Sequence, residues 1–111
     1  MVALLAEGGA EIDARDYCAF TPLHFACQEG HLDVASVLLD RQANIEARNE
    51  DHLGEDHFNP LMVASQNGHP AVVSLLLERQ ADISARDKNQ HTALHIASSN
   101  DHQGVVALLL A

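Results

Sequence analysis

The side chains able to do chemistry in this chain are eight histidines, sixteen carboxylates and two cysteines. They are densest in Glu50-Asp51-His52-Leu53-Gly54-Glu55-Asp56-His57, where four acids accompany two imidazoles. Imidazole and carboxylate together are ligands for zinc and similar cations. The spacing here fits no known site and no cysteine joins it. A solvated acidic loop explains the segment, and contact with a basic partner is its functional alternative. No metal and no cofactor are expected. His24 and His95 each follow a threonine, Thr21 and Thr92, by three residues. Neither has a partner acid set in a cleft, so a catalytic role is not expected. Two cysteines make neither a disulfide framework nor a zinc site. Cys18 and Cys27 read as free thiols, Cys27 as a small buried filler. Cys18 falls on a loop, where it is open to modification, with no neighbouring group that would activate it. No nucleophile motif, phosphate loop or dinucleotide fingerprint is present, and Gly8-Gly9 reads as a helix end. The chain is not expected to be an enzyme.

The elements holding these groups must be small. The 111 residues fit one domain. Apolar residues make up 47%, carried by Ala, Leu, Val and Ile, while aromatics reach only 4% and Trp is absent. That mix suits interdigitating helices better than a large aromatic core. Sixteen acids against six basic residues give a net charge of −10. Such a field repels nucleic-acid phosphates and anionic membranes, and leaves a protein with a basic or mixed surface as the easier partner. No apolar run approaches membrane-spanning length, and the start lacks a basic leader and a secretory core. With the free thiols, these features predict an intracellular, cytoplasmic and monomeric protein.

Self-comparison reveals the organisation. Thr21-Pro22-Leu23-His24 recurs 38 residues on as Asn59-Pro60-Leu61-Met62, and 33 further on as Thr92-Ala93-Leu94-His95. Gly30-His31 recurs at the same intervals as Gly68-His69 and Asp101-His102. The segments Ala10–Arg15, Ala43–Arg48 and Ala81–Arg86 are spaced by 33 and then 38. The unit is therefore 33 residues, with five inserted between Arg48 and Asn59. Leu23, Ala26 and Cys27, then Val34, Val37 and Leu38, fall on single faces of a 3.6-residue period. Thr21 suits an N-cap, Pro22 a first helical turn and Gly30 a break between helices. Each unit reads as helix, tight turn, helix, loop.

A 33-residue period carrying T-P-L-H, an Ala pair, G-H, V-x-x-L-L and a closing A-x-I resembles the ankyrin repeat. The resemblance implies an all-α solenoid of stacked helix-turn-helix pairs with β-hairpin-like finger loops. Residues 1–15 would be a partial repeat, 16–48 a repeat, 49–86 a repeat with the insertion, and 87–111 a partial repeat, all in one domain. The chain departs from the family where it usually carries glycine. Ala19, His57 and Gln90 stand at the loop tips, and Gln42 and Gln80 precede the closing Ala, where Gly9 fits. Left-handed backbone at each Gln would cost roughly 1 kcal/mol relative to Gly. Asn59-Pro60-Leu61-Met62 lacks both Thr and His, and Asp101 replaces the turn Gly.

The resemblance also implies function. It makes the histidines structural: His24 and His95 bond to backbone and to the capping threonine, and His31, His69 and His102 follow the inter-helix turn. Fingers and first helices form a surface that holds another protein. Carried over by position, the finger residues are Tyr17, Cys18 and Phe20 in the first full unit, Phe58 and the inserted residues in the second, and Lys88, Asn89 and His91 in the last. The groove residues are Gln28 and Glu29, Gln66 and Asn67, Ser99 and Asn100. Three of the four aromatics, Tyr17, Phe20 and Phe58, lie on fingers, and exposed aromatics on a rigid scaffold favour interface hot spots. Phe20 and Phe58 have a local alternative, folding back onto the helix starts. Asp13, Glu46 and Asp82 read as loop solvation. The expected function is a non-catalytic protein-interaction scaffold. The alternative is a structural spacer of a longer array, since the apolar run Val105–Ala111 reads as an uncovered helix face.

Overall fold

The computed structural model describes residues 10–50 and 57–111. The first half-repeat with its Gly8-Gly9 helix end, and the centre of the acidic insertion at 51–56, lie outside the described residues. Six helices follow among those described: α1 (Pro22–Glu29), α2 (Leu32–Asp40), α3 (Pro60–Asn67), α4 (Pro70–Glu78), α5 (Ala93–Ser99) and α6 (Gln103–Leu110). They form three antiparallel pairs. The inner helices α1, α3 and α5 pack in one layer, and the outer helices α2, α4 and α6 in another.

Local chemistry sets each boundary. Thr21 caps α1 by accepting from the His24 backbone N–H, and the His24 side chain returns the bond to the Thr21 backbone. Thr92 and His95 repeat this reciprocal box on α5. On α3, Asn59 keeps the cap without Thr or His, its Oδ1 accepting from Met62 N at 2.9 Å. Proline follows the cap at Pro22 and Pro60, where its missing N–H costs nothing. The inner helices end in left-handed residues: Gly30 and Gly68 at φ 73° and 69°, and Asp101 at 59°. The outer helices close one residue past the cap at Gln42 (φ 68°) and Gln80 (φ 71°). Both glutamines thus carry the left-handed strain expected from their substitution for glycine.

The core lies between the layers. Leu23, Leu38, Leu61, Met62, Val72, Val73, Leu76 and Val105 are buried, with alanines at the close helix approaches. Burying each large side chain contributes about 1.5–3 kcal/mol. Cys27 joins them as the filler foreseen. Burial pushes its thiol up to about 12, so it stays protonated and inert. Both cysteines are free thiols.

Candidate interaction surface

Each finger is shaped by one residue at its base. Asp16 Oδ1 accepts from Cys18 N at 2.8 Å and Phe20 N at 2.9 Å. Asp87 Oδ1 accepts from Asn89 N and His91 N, both at 2.8 Å. Asn49 Oδ1 takes Phe58 N at 2.6 Å. A backbone bond closes each base: Asp16 N to Phe20 O, Asn49 N to Phe58 O and Asp87 N to His91 O. The insertion therefore leaves from a base of unchanged design. The tips turn through left-handed Ala19, His57 and Gln90 at φ 59°, 60° and 70°. No strand ladder forms among the described residues. A bond from Glu50 N to Cys18 O at 2.8 Å joins adjacent fingers.

The repeats are then stitched together by polar groups. His24 is fully buried, its Nδ1 3.1 Å from the Thr21 backbone N–H and its Nε2 donating to the Phe58 carbonyl at 2.9 Å. Nδ1 must therefore be the acceptor, so the ring is neutral with its proton on Nε2. Burial, the largest cause, holds its pKa below the usual 6.5, against the opposing pull of the Phe58 and Ala47 carbonyls. Arg15 donates to the Arg48 carbonyl, and Arg48 in turn to the Arg86 carbonyl at 2.7 Å. Asp13 Oδ1 accepts from Asn44 N at 2.9 Å, and Glu46 Oε2 from Asp82 N at 2.7 Å. Loop solvation is thus the wrong reading of Asp13 and Glu46. Their carboxylates satisfy backbone donors of the following repeat, which a surface charge would leave to water. Asp82 turns its carboxylate to Ser84 N, shaping its own loop.

Against this frame the surface candidates separate. Tyr17 is 88% exposed at a finger tip. Phe20 folds back: its ring stacks on His24 at 4.8 Å and meets Phe25 edge-on at 4.9 Å. Phe58 is half-buried against the core. His91 leans on His95 as Phe20 does on His24, with ring centroids 5.5 Å apart. Cys18 is half-buried, and Lys88 and Asn89 are exposed. Gln28, Glu29, Gln66, Asn67, Ser99 and Asn100 are all exposed on the inner helices. Asn67 and Asn100 turn their amides back to the carbonyls of Val63 and Ile96.

Six of these residues meet in one open concavity of about 420 Å³ between the last finger and α3 and α5: Phe58, Gln66, Asn89, His91, Ser99 and Asn100. Asp87 and His95 complete its polar wall. Phe20 and Glu29 belong instead to a more apolar hollow on the far side of α1, beside Phe25 and Val34. Tyr17, Cys18, Gln28, Asn67 and Lys88 line neither. Asp87 and Phe25 escaped the sequence reading. The spacing of Asp16, Asn49 and Asp87 marked a recurring finger residue, but Phe25 carried no signal, since its counterparts Val63 and Ile96 are core.

Among the described residues no three His, Cys, Asp or Glu side chains converge on a point that would hold a metal ion. The metal and contact-loop readings of the insertion fall on residues 51–56 and lie outside the description. No helix among the described residues is long and apolar enough to cross a membrane.

Paired helices of seven to nine residues, left-handed turns between them and fingers on one edge define a helical repeat solenoid. Residues 48–111 match the family described as ankyrin repeats (3 copies), and residues 19–50 match the single ankyrin repeat. The chain belongs to the ankyrin-repeat family. It is similar to protein phosphatase 1 regulatory subunit 27 of Homo sapiens, 44% identical over 50 residues, 45% of this chain and 32% of that protein. It is also similar to the probable E3 ubiquitin-protein ligase XBOS33 of Oryza sativa subsp. japonica, 42% identical over 45 residues, 40% of this chain and 9% of that protein. Protein fem-1 homolog A of Danio rerio is 41% identical over 49 residues, 44% of this chain and 8% of that protein. The matches span about a third or less of these relatives.

Proposed function

We propose that this chain is a non-catalytic binding scaffold that takes a partner protein in the concavity between the last finger and the inner helices. The observation carrying this reading is that concavity itself. Polar side chains of two helices and one finger converge there on rigid supports, with an aromatic at the edge. The net charge of −10 favours a partner with a basic surface and disfavours nucleic acid and anionic membrane. Tyr17, exposed on the first finger, is a second anchor on the same edge. Two free thiols fit a reducing, cytoplasmic setting, and a monomer is the working state. The relative named as a phosphatase regulatory subunit supports an adaptor role without activity of its own.

The test is affinity capture with the chain and with a Gln66→Ala/Asn89→Ala/His91→Ala variant, folding checked by circular dichroism. All three side chains are exposed, so the fold survives. Loss of a partner in the variant, with wild-type capture weakening as salt rises, supports the groove and the basic partner. Retention of every partner by the variant overturns the assignment.

One observation favours a second reading, a spacer within a longer array. Phe25 is 47% exposed, yet its counterpart Val63 in the interior repeat is 2% exposed. The face around Phe25 is one that repeat stacking covers. Capture of no partner by either protein supports this alternative.

A further inference from the structure

At the inter-helix turns, neighbouring repeats meet through a glycine. The His69 ring lies over Gly30 and its Nε2 donates to the Gln28 carbonyl at 2.9 Å. The His102 ring lies over Gly68 and donates to the Gln66 carbonyl, also at 2.9 Å. A Cβ at Gly30 would stand 2.7 Å from His69 Nδ1, and one at Gly68 2.6 Å from His102 Nδ1. Glycine is thus required twice over, by the left-handed backbone and by the ring above it. The third turn has the same backbone, φ 59°, but the residue is Asp101. The space that an imidazole fills at the first two seams is here met by the Cβ of an aspartate.

We infer that Asp101 closes the α5–α6 face to a further repeat of this kind. A further repeat carrying histidine at the position of His69 and His102 cannot seat on α5 and α6 as the two existing seams are built. The opposite end has the reverse character. His31, the counterpart of His69, is exposed, offering an imidazole to a turn that would accept it. The stack is directional, open to repeats of its own kind on the α1 side and closed to them on the α6 side. The obstacle is the Cβ, so a neutral side chain of the same size serves equally well.

The test extends the full chain after Ala111 by a second copy of residues 79–111, which places a copy of His102 in register over Asp101. Each extended protein is compared with the unextended chain of the same background, which cancels the effect of residue 101 on its own turn. In wild type the added unit raises the thermal midpoint by less than about 2 °C; with Asp101→Gly it raises it by about 5 °C or more. Asp101→Asn behaves as wild type, separating size from charge. Alanine in place of the added histidine lowers the midpoint in the Asp101→Gly background and leaves it level or higher in wild type. Equal gains in the wild-type and Asp101→Gly backgrounds, or none in either, overturn the inference.

Discussion

Thr21-Pro22-Leu23-His24 and Thr92-Ala93-Leu94-His95 fold into the same capped helix start and end in different surroundings. Both histidines close the same reciprocal box with their threonine. His24 is then buried by the next repeat and donates to the Phe58 carbonyl, while His95 is exposed beside the groove. The local bonds are equal, so the difference measures the seam. A motif that reads as one structural device is two: a cap at each copy, and a rivet between repeats only where another repeat follows.

Truncation separates the two uses most strongly. His24→Ala leaves the Thr21 N–H buried without its partner, takes from the Phe58 carbonyl one of its two donors and empties a fully buried site, and is expected to cost about 2–3 kcal/mol. His95→Ala removes only an exposed half of a cap, at under about 1 kcal/mol. Urea denaturation of both variants checks this, and equal losses would break the comparison. The middle copy sharpens it. Asn59 is fully buried, caps Met62 N and reaches Glu46 Oε1 at 3.3 Å. Asn59→Ala is therefore expected to cost about 1–2 kcal/mol, between the other two.

Acid discriminates the same pair. The folded state holds the His24 pKa below 6.5, so the unfolded chain takes up the proton first. The stability tied to this group is complete above pH 6.5 and is lost as pH falls through that value toward the lower folded pKa. The slope from one proton is at most about 1.4 kcal/mol per pH unit. Melting between pH 7.5 and 5 is expected to show that decline in wild type and in His95→Ala, and a flatter curve in His24→Ala. The smallest effect lies away from the seam. Gln42→Gly and Gln80→Gly relieve left-handed backbone and are each expected to stabilise by about 0.5–1 kcal/mol, additively, by the same urea assay.

Much of this was legible in the residues. The interval of 33, the insertion and the caps at Thr21, Thr92 and Gly30 placed the helices, because each rests on short-range chemistry. The seams were not. Asp13 and Glu46, like Arg15 and Arg48, recur at the repeat interval, but a period says only that a position matters, not what it faces. An acid in a loop is usually hydrated, and only the stacked neighbour reveals the amide 2.9 Å from Asp13. Phe20 and Phe58 kept both readings open in the sequence. The fold packs both rings partly against the core while each still lines an open hollow, and leaves Tyr17 as the fully exposed finger aromatic.

The inter-repeat side-chain bonds described above join residues no more than 41 apart, so each seam ties only one unit to the next. Under tension these bonds supply no long-range strap that must break at once. Pulled from an end, it should peel one repeat at a time, each giving up roughly 110 Å of contour length, so the stack would behave as a soft ratchet that yields in steps.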